Sequence, residues 1–183
     1  MDMTGEERIE ASRATVWAAL NDPEVLRQCI PGCESLEKLS DTEMTAKARL
    51  KIGPVSATFT GKVALSDIDA PNGYRIAGEG AGGAAGFARG SALVRLIEDG
   101  TGTILRYEVK ADVGGKLAQL GGRLIDATAR KLAGEFFSKF GEVVGPPPAG
   151  EESAARAGGE EKPGVLRRWF SRKKGSPPEN GGA

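Results

Sequence analysis

The sequence predicts an α+β fold in which a curved antiparallel sheet wraps around a long C-terminal helix. Between residues 35 and 113 the chain alternates polar and apolar residues in short runs separated by turn sequences, which is typical of antiparallel strands. Two short helical segments precede these runs, and one long helical pattern over 116–143 follows them. A sheet and a helix of this kind bury both of their apolar faces when they pack against each other.

The N-terminal elements are short. Residues 7–11 predict a first strand. Ser12 is a suitable N-cap for a helix through Leu20, because its side chain can accept a hydrogen bond from an amide of the first turn. Pro23 begins a second short helix that extends to about Cys29, since proline fits the first turn of a helix.

About six antiparallel strands follow these helices. Residues 47–52 and 57–65 are two of the alternating runs. The turn sequences between runs are Gly53-Pro54, Pro71-Asn72-Gly73 and Glu98-Asp99-Gly100, and residues of these types favour tight hairpins.

The long helix contains small residues where a packed helix usually has large ones. A projection at 100° per residue gives it one broad apolar side. That side consists of Leu117, Leu124, Ile125, Thr128, Ala129, Leu132, Phe136 and Phe140. Gly121 and Thr128 lie within it, although glycine costs about 1 kcal/mol relative to alanine inside a helix. These small residues either leave space for a ligand between helix and sheet or allow close backbone contact with a strand.

Residues 78–87 consist almost entirely of glycine and alanine. They form either a flexible loop or a gate over a pocket. No strand followed by a phosphate-binding helix surrounds these glycines, so the segment does not predict a nucleotide site. Glu79, flanked by glycines, is the acid to test for proton exchange with a ligand.

The residue types available restrict the chemistry. The chain has no histidine, which removes the usual general base and the Ser-His and Cys-His nucleophile pairs. Cys29 and Cys33 are the only two cysteines, and three residues separate them instead of the two of redox and zinc pairs. We therefore predict structural thiols, no metal site, no catalytic residues and no enzymatic activity.

Charge and composition divide the chain into three regions. We predict a domain over 1–144, a flexible Pro/Gly-rich and acidic linker over 145–163, and a basic amphipathic, disordered tail over 164–183. Residues 162–183 contain six basic residues and one acidic residue, a net charge of +5, whereas the other 161 residues carry −5. No signal peptide and no membrane-spanning segment is recognisable, so we expect a soluble, cytoplasmic protein.

The tail combines apolar and basic side chains in a pattern that predicts a membrane-binding segment. In a helix, Val165, Leu166, Trp169 and Phe170 form one apolar face. The basic residues around this face are Arg167, Arg168, Arg172, Lys173 and Lys174. Tryptophan favours the lipid headgroup region, and each basic residue adds about 1 kcal/mol of attraction to an anionic leaflet. The alternatives are a solvated tail that aids solubility and a docking segment for a partner protein. Nucleic acid is disfavoured, because there is one short patch and no folded reader.

Several stretches of the sequence resemble a known family, the G subunits of carbon monoxide dehydrogenase, which belong to the START-like (SRPBCC) superfamily. The most specific are Ile30-Pro31-Gly32-Cys33 and Gly114-Gly115-Lys116-Leu117-Ala118. The likeness covers roughly residues 4–144, and its matching stretches are residues 16–26, 29–34, 53–55, 59–63 and 114–121.

This resemblance implies a helix-grip fold with a deep apolar cavity. It also implies membrane recruitment of a molybdenum-containing CO dehydrogenase, or of a related molybdenum hydroxylase, as the partner enzyme. The character of the cavity implies binding of a lipophilic quinone that accepts the electrons of that enzyme. The family supplies no settled catalytic residues, so none is assigned.

Three hypotheses follow from these observations. The first is a non-catalytic carrier that holds a lipophilic quinone, with menaquinone as the first candidate, and attaches peripherally to the inner face of the cell membrane, an anionic surface. Its candidate cavity residues are Phe59, Phe87, Leu117, Leu120, Gly121, Leu124 and Thr128. The second is an adaptor that recruits the dehydrogenase to the membrane without carrying a ligand. The third, an enzyme, is disfavoured by the missing histidine.

Overall fold

One antiparallel sheet of seven strands and three α-helices make up residues 1–145, the part of the chain that the computed structural model describes. In chain order they are β1 (Asp2–Ile9), α1 (Arg13–Leu20), α2 (Pro23–Cys29), β2 (Cys33–Lys38), β3 (Glu43–Ile52), β4 (Val55–Asp69), β5 (Gly73–Ala81), β6 (Phe87–Asp99), β7 (Gly102–Gly114) and α3 (Gly122–Val144). The strands follow the order β1-β7-β6-β5-β4-β3-β2, so β1 pairs with β7 and the other strands pair with their neighbours in the chain.

The predicted helix-grip arrangement is confirmed, with a curved sheet around the long C-terminal helix. The core lies between the inner face of the sheet and the helices. Val16 of α1, Leu105 of β7 and Phe140 of α3 belong to this core, and each is at most 1% exposed.

The two short helices begin where their capping residues predict. The hydroxyl of Ser12 accepts a hydrogen bond from the amide of Thr15 at 3.2 Å. A carboxylate oxygen of Asp22 accepts one from the amide of Glu24 at 2.9 Å, and Pro23 opens the second helix. Both helices therefore follow local signals in the sequence.

The first strand begins earlier than predicted. The sequence indicates residues 7–11, whereas β1 spans Asp2–Ile9. Its register with β7 runs from Asp2 opposite Lys110 to Ile9 opposite Thr103. This long-range pairing sets the limits of the strand, because residues 2–6 carry little apolar alternation of their own.

Six strands, β2 to β7, occupy the region where about six were predicted. The segment over 78–87 is not one flexible loop, because only residues 82–86 lie outside the strands. It consists of the end of β5, a single 3₁₀ turn at Gly83–Ala85 and the start of β6. Ladder hydrogen bonds to β4 and β6 order it, despite its small residues.

The prediction of one continuous helix over 116–143 is wrong at its start. Residues Gly115–Leu120 form a 3₁₀ helix, and α3 begins only at Gly122. Between them Gly121 has a φ of 87°, a conformation that an α-helix does not contain. Gly121 is exposed, and a Cβ there would meet no atom within 4 Å. Its backbone angle explains the glycine, so neither ligand space nor close strand contact is needed.

The linker and tail predictions fall almost entirely outside the described residues. All nine candidate membrane-binding residues, Val165 to Lys174, belong to that part of the chain. Within residues 1–145, no helix is long and apolar enough to cross a membrane. The same residues contain no cluster of three acidic or cysteine side chains that could hold a metal ion.

Candidate functional site

An apolar cavity of about 330 Å³ lies between the inner face of the sheet and the helices. Within residues 1–145, all three α-helices and all seven strands contribute to the wall, together with Ile30 at the end of α2. Cavities that bind small molecules commonly measure about 300–1,000 Å³, so this one lies at the lower end of that range.

The helices supply one side of the cavity. Leu20 is the last residue of α1, and Leu26 lies in α2. Helix α3 contributes Ala133, Phe136 and Phe137 from its middle turns. The i, i+3, i+4 spacing of these three residues places them on one face of α3, as helical geometry requires.

Alternation along the strands builds the opposite side. Successive strand residues point to opposite faces, so every second residue of β4 to β7 faces the helices. In the middle of this face Ala92 of β6 lies between Ile76 of β5 and Val109 of β7. An alanine between two larger neighbours leaves part of the space that the cavity occupies.

An aromatic cluster closes one side of the cavity. The Phe137 ring stacks on Tyr107 of β7, with ring centroids 5.4 Å apart. Phe136 contacts Phe137 edge-on at 5.1 Å and stacks with Phe140 at 5.6 Å. Such contacts add about 0.5–1.5 kcal/mol each beyond burial, so they fix this half of α3 against the sheet.

Three side chains of the wall carry a hydroxyl group: Thr45, Tyr74 and Tyr107. Tyr74 is only 5% exposed, and burial raises its pKa to about 12. Tyr107 lies directly over Gly5 of β1, where any Cβ would collide with its ring. Burial, and then the charge of Glu7, raise the pKa of Tyr107, so both tyrosines are neutral hydrogen-bond donors at neutral pH.

The seven candidate cavity residues lie elsewhere in the described structure, and none lines this cavity. Phe59 packs over Gly82, and Phe87 is 46% exposed on the outer face of the sheet. Leu117 is buried and Leu120 half-buried in the 3₁₀ helix that precedes Gly121.

The remaining two candidates lie in the first turns of α3. Leu124 packs against the β3–β4 turn, where a Cβ on Gly53 would lie 2.7 Å from its Cδ2 atom. The Thr128 hydroxyl donates a hydrogen bond to the carbonyl oxygen of Leu124 at 2.8 Å, so its polar group is satisfied within the helix. All seven thus lie toward the end of the fold that carries the β3–β4 and β5–β6 turns.

The sequence reasoning missed the residues that form the wall. The alternation that identified the strands also places Tyr74 and Ala92 on their inward faces, which was the available signal. Their meeting in space depends on the register between β5 and β6, however, and a single sequence does not show that register.

A larger depression, of about 740 Å³, lies on the outer face of the sheet. A row of alternating charge crosses it, in which Lys62, Glu79, Arg89 and Asp112 are successive cross-strand partners. This charged surface is unsuited to an apolar ligand, so the inner cavity is the better candidate site. Glu79 is exposed on this face, and proton exchange with a ligand in the cavity is therefore not supported.

The two cysteines are free thiols. Cys29 is 2% exposed in the core, and Cys33 is half-buried at the start of β2. In both cases burial is the main cause that raises the pKa of the thiol. A raised pKa lowers the reactive thiolate fraction, so these thiols are suited to a structural role.

Comparisons with known proteins agree with the architecture. The family model described as the G subunit of carbon monoxide dehydrogenase (CoxG) matches residues 5–145. Among solved structures, a conserved protein from Geobacillus kaustophilus is 30% identical with a TM-score of 0.75, covering 79% of this chain and 95% of its own. A START superfamily protein from Mycobacterium smegmatis is 14% identical with a TM-score of 0.62, covering 78% and 96%.

An aromatase/cyclase from a Streptomyces species is 12% identical with a TM-score of 0.55, covering 79% of this chain and 93% of its own. At identities this low, the last two likenesses show the fold alone. No curated protein matches the chain.

Proposed function

Because the chain belongs to the G-subunit family of carbon monoxide dehydrogenase, we propose that it is a non-catalytic accessory protein that carries a lipophilic quinone in its apolar cavity. Menaquinone is the first candidate. The partner is a molybdenum-containing CO dehydrogenase, or a related molybdenum hydroxylase. The carrier links the electrons of that enzyme to the respiratory chain.

The single observation that carries this proposal is the chemistry of the cavity wall. Apart from three hydroxyl groups, its side chains are aliphatic, aromatic or thioether, and none of the described lining residues is charged. A charged ligand would lose its hydration there without gaining a partner, at a cost of several kcal/mol. A neutral apolar ring would instead gain about 25 cal/mol for each Å² that it buries.

The size of the cavity suits part of a quinone. About 330 Å³ accommodates a fused ring system and a short branch. A long isoprenoid tail would extend beyond this space. The proposal therefore places the ring within the cavity and leaves most of the tail outside it.

The basic and aromatic residues of the C-terminal tail support a location at the membrane. Since quinones dissolve in the bilayer, a carrier must approach it to load. We infer that residues 164–183 bind the anionic, cytoplasmic face of the membrane peripherally, by the pattern of charge described above.

The same tail favours a second candidate function. A membrane-binding segment joined to a domain that binds the dehydrogenase is sufficient for an adaptor. In that case the cavity holds no quinone and the tail is the main functional element.

Filling the cavity separates the two functions. Ala92→Leu adds bulk between Ile76 and Val109, and we expect it to abolish quinone retention. Overpacking a core costs about 1–3 kcal/mol, so thermal unfolding must show that the variant is folded. Ala77→Leu is the matched control, because Ala77 is exposed on the opposite face of the neighbouring strand.

The measurement is mass spectrometry of lipids extracted from each protein after purification from a quinone-containing bacterium. Stoichiometric quinone in the wild type and in Ala77→Leu, with none in Ala92→Leu, would support the carrier. A wild-type protein that is empty or filled with phospholipid would contradict it and favour the adaptor.

A further inference from the structure

Tyr74 is the one buried polar side chain on the cavity wall as described, since Thr45 and Tyr107 are only half-buried. Its ring packs edge-on against Trp17 of α1, with centroids 5.3 Å apart. Within residues 1–145 no hydrogen bond of its hydroxyl is found, and its oxygen is not one of the fully enclosed polar atoms without a partner, so it borders accessible space. Burial is the cause that raises its pKa. The side chain is therefore fixed in place while its polar group stays free.

A hydroxyl without a protein partner at the wall of an apolar cavity is open to a ligand. Most buried polar groups of native proteins have a hydrogen-bond partner, and leaving one without a partner costs free energy. Because the pKa is about 12, the hydroxyl keeps its proton at neutral pH and is available as a donor. A ligand with a hydrogen-bond acceptor would satisfy it.

The rest of the wall discriminates between acceptors and donors on the ligand. It offers no carboxylate, side-chain amide or imidazole among the described residues, so the hydroxyl oxygens of Thr45 and Tyr107 are the main side-chain acceptors for a donor on the ligand. A quinone has two carbonyl acceptors and no hydroxyl donor, whereas its hydroquinone has two hydroxyl donors. A carbonyl without a partner is tolerated better in protein interiors than a donor without one.

We propose that the Tyr74 hydroxyl donates a hydrogen bond to a carbonyl oxygen of the bound ligand, and that the cavity therefore retains the oxidised quinone in preference to the hydroquinone. This inference rests on the proposed function and adds a specificity-determining residue to it. A carrier with this preference loads the oxidised form and lets the reduced form leave, which gives transport a direction.

The test compares the two redox forms of one soluble probe, 2-methyl-1,4-naphthoquinone and its hydroquinone. Equilibrium dialysis of the full chain under argon gives the Kd of each. We expect the wild type to bind the quinone about tenfold more tightly than the hydroquinone, because the reduced form leaves buried donors unpaired. Tyr74→Phe keeps the ring beside Trp17 and removes only the hydroxyl, so quinone affinity and the preference should both fall about tenfold.

Thr128→Val is the matched control. It also removes one hydroxyl, but Thr128 lies outside the cavity and its hydroxyl is bonded to the carbonyl oxygen of Leu124, so its loss should leave the preference unchanged. Circular dichroism of all three proteins establishes that each is folded.

The possible outcomes distinguish a failure of the Tyr74 preference from a failure of the proposed carrier function. If Tyr74→Phe binds quinone and keeps the wild-type preference, or if the wild type has none, the inference fails and the carrier stands. If the folded wild type binds neither form, the carrier fails together with the inference.

Discussion

The two halves of α3 belong to one amphipathic helix, yet the protein holds them differently. In the C-terminal half Phe140 is fully buried and stacks with Phe136. In the N-terminal half Leu124 and Thr128 are only half-buried, and the preceding Gly121 is exposed. Phe140 is the one buried residue of the whole helix. An amphipathic pattern therefore indicates which side of a helix faces the sheet, but not how tightly each turn is held.

The difference bears on the cavity. The firmly packed half also supplies Ala133, Phe136 and Phe137 to the cavity wall. The loosely packed half contacts the β3–β4 turn through Leu124. Segments with few buried apolar contacts open at lower free energy than the core. We therefore expect any opening of α3 to begin in its N-terminal half, while the wall of the cavity stays in place.

The largest test of this comparison truncates one apolar residue in each half. Phe140→Ala removes a fully buried ring and should destabilise the fold by about 3–5 kcal/mol. Leu124→Ala removes a half-buried side chain and should cost about 1 kcal/mol. Urea unfolding followed by circular dichroism measures both. Equal losses in the two variants would show that the halves are held alike.

The next test uses alkaline pH to measure how burial of Tyr74 in the core contributes to stability. The pKa of Tyr74 is raised to about 12 in the folded protein, against about 10 in the unfolded chain. Its neutral form is thus favoured on folding, and this stability is complete below pH 10 and is lost as the pH rises toward 12. The loss amounts to roughly 2–3 kcal/mol.

Urea unfolding between pH 9 and 11.5 measures this effect. Tyr74→Phe cannot ionise at that position, so its stability should fall less steeply than that of the wild type. Parallel curves for the two proteins would mean that Tyr74 titrates in the folded state as it does in the unfolded chain.

The smallest test exchanges one glycine in each half for alanine. At Gly121 the φ of 87° is disfavoured for alanine, so Gly121→Ala should destabilise by about 1–2 kcal/mol without any clash. Gly134 lies within α3 with open space around it, and Gly134→Ala should stabilise by about 0.5–1 kcal/mol. Thermal unfolding compares the two. The same sign in both variants would argue against a special backbone at Gly121.

The parts of the fold that the sequence predicts are those with local causes. Ser12 and Asp22 cap the short helices through hydrogen bonds to residues two or three positions away, and these signals are legible in the sequence. The start of α3 is not predictable from the sequence in this way, because the spacing of Leu117 and Leu120 suits an α-helix and a 3₁₀ helix equally well. A positive φ at Gly121 is decided by how the chain must turn after β7.

The cavity was expected, but its position was not predictable from one sequence. The helical projection indicated space beside the small residues Gly121 and Thr128. The cavity instead lies beside Ala92 and beneath Phe136 and Phe137. Whether a small residue borders empty space depends on which residues face it from other strands. That information resides in the register of the sheet.

The pairing of β1 with β7 also has a consequence for the order of assembly. Glu6 and Arg106 face each other across this pair, although 100 residues separate them along the chain. During synthesis β1 therefore cannot pair with β7 until β7 has left the ribosome. Until then the sheet formed by β3 to β6 lacks β7 and β1. Topologies dominated by such distant pairings fold in milliseconds to seconds. Over this interval the nascent chain exposes apolar surface and unpaired strand edges, which are the features that chaperones bind and that promote aggregation.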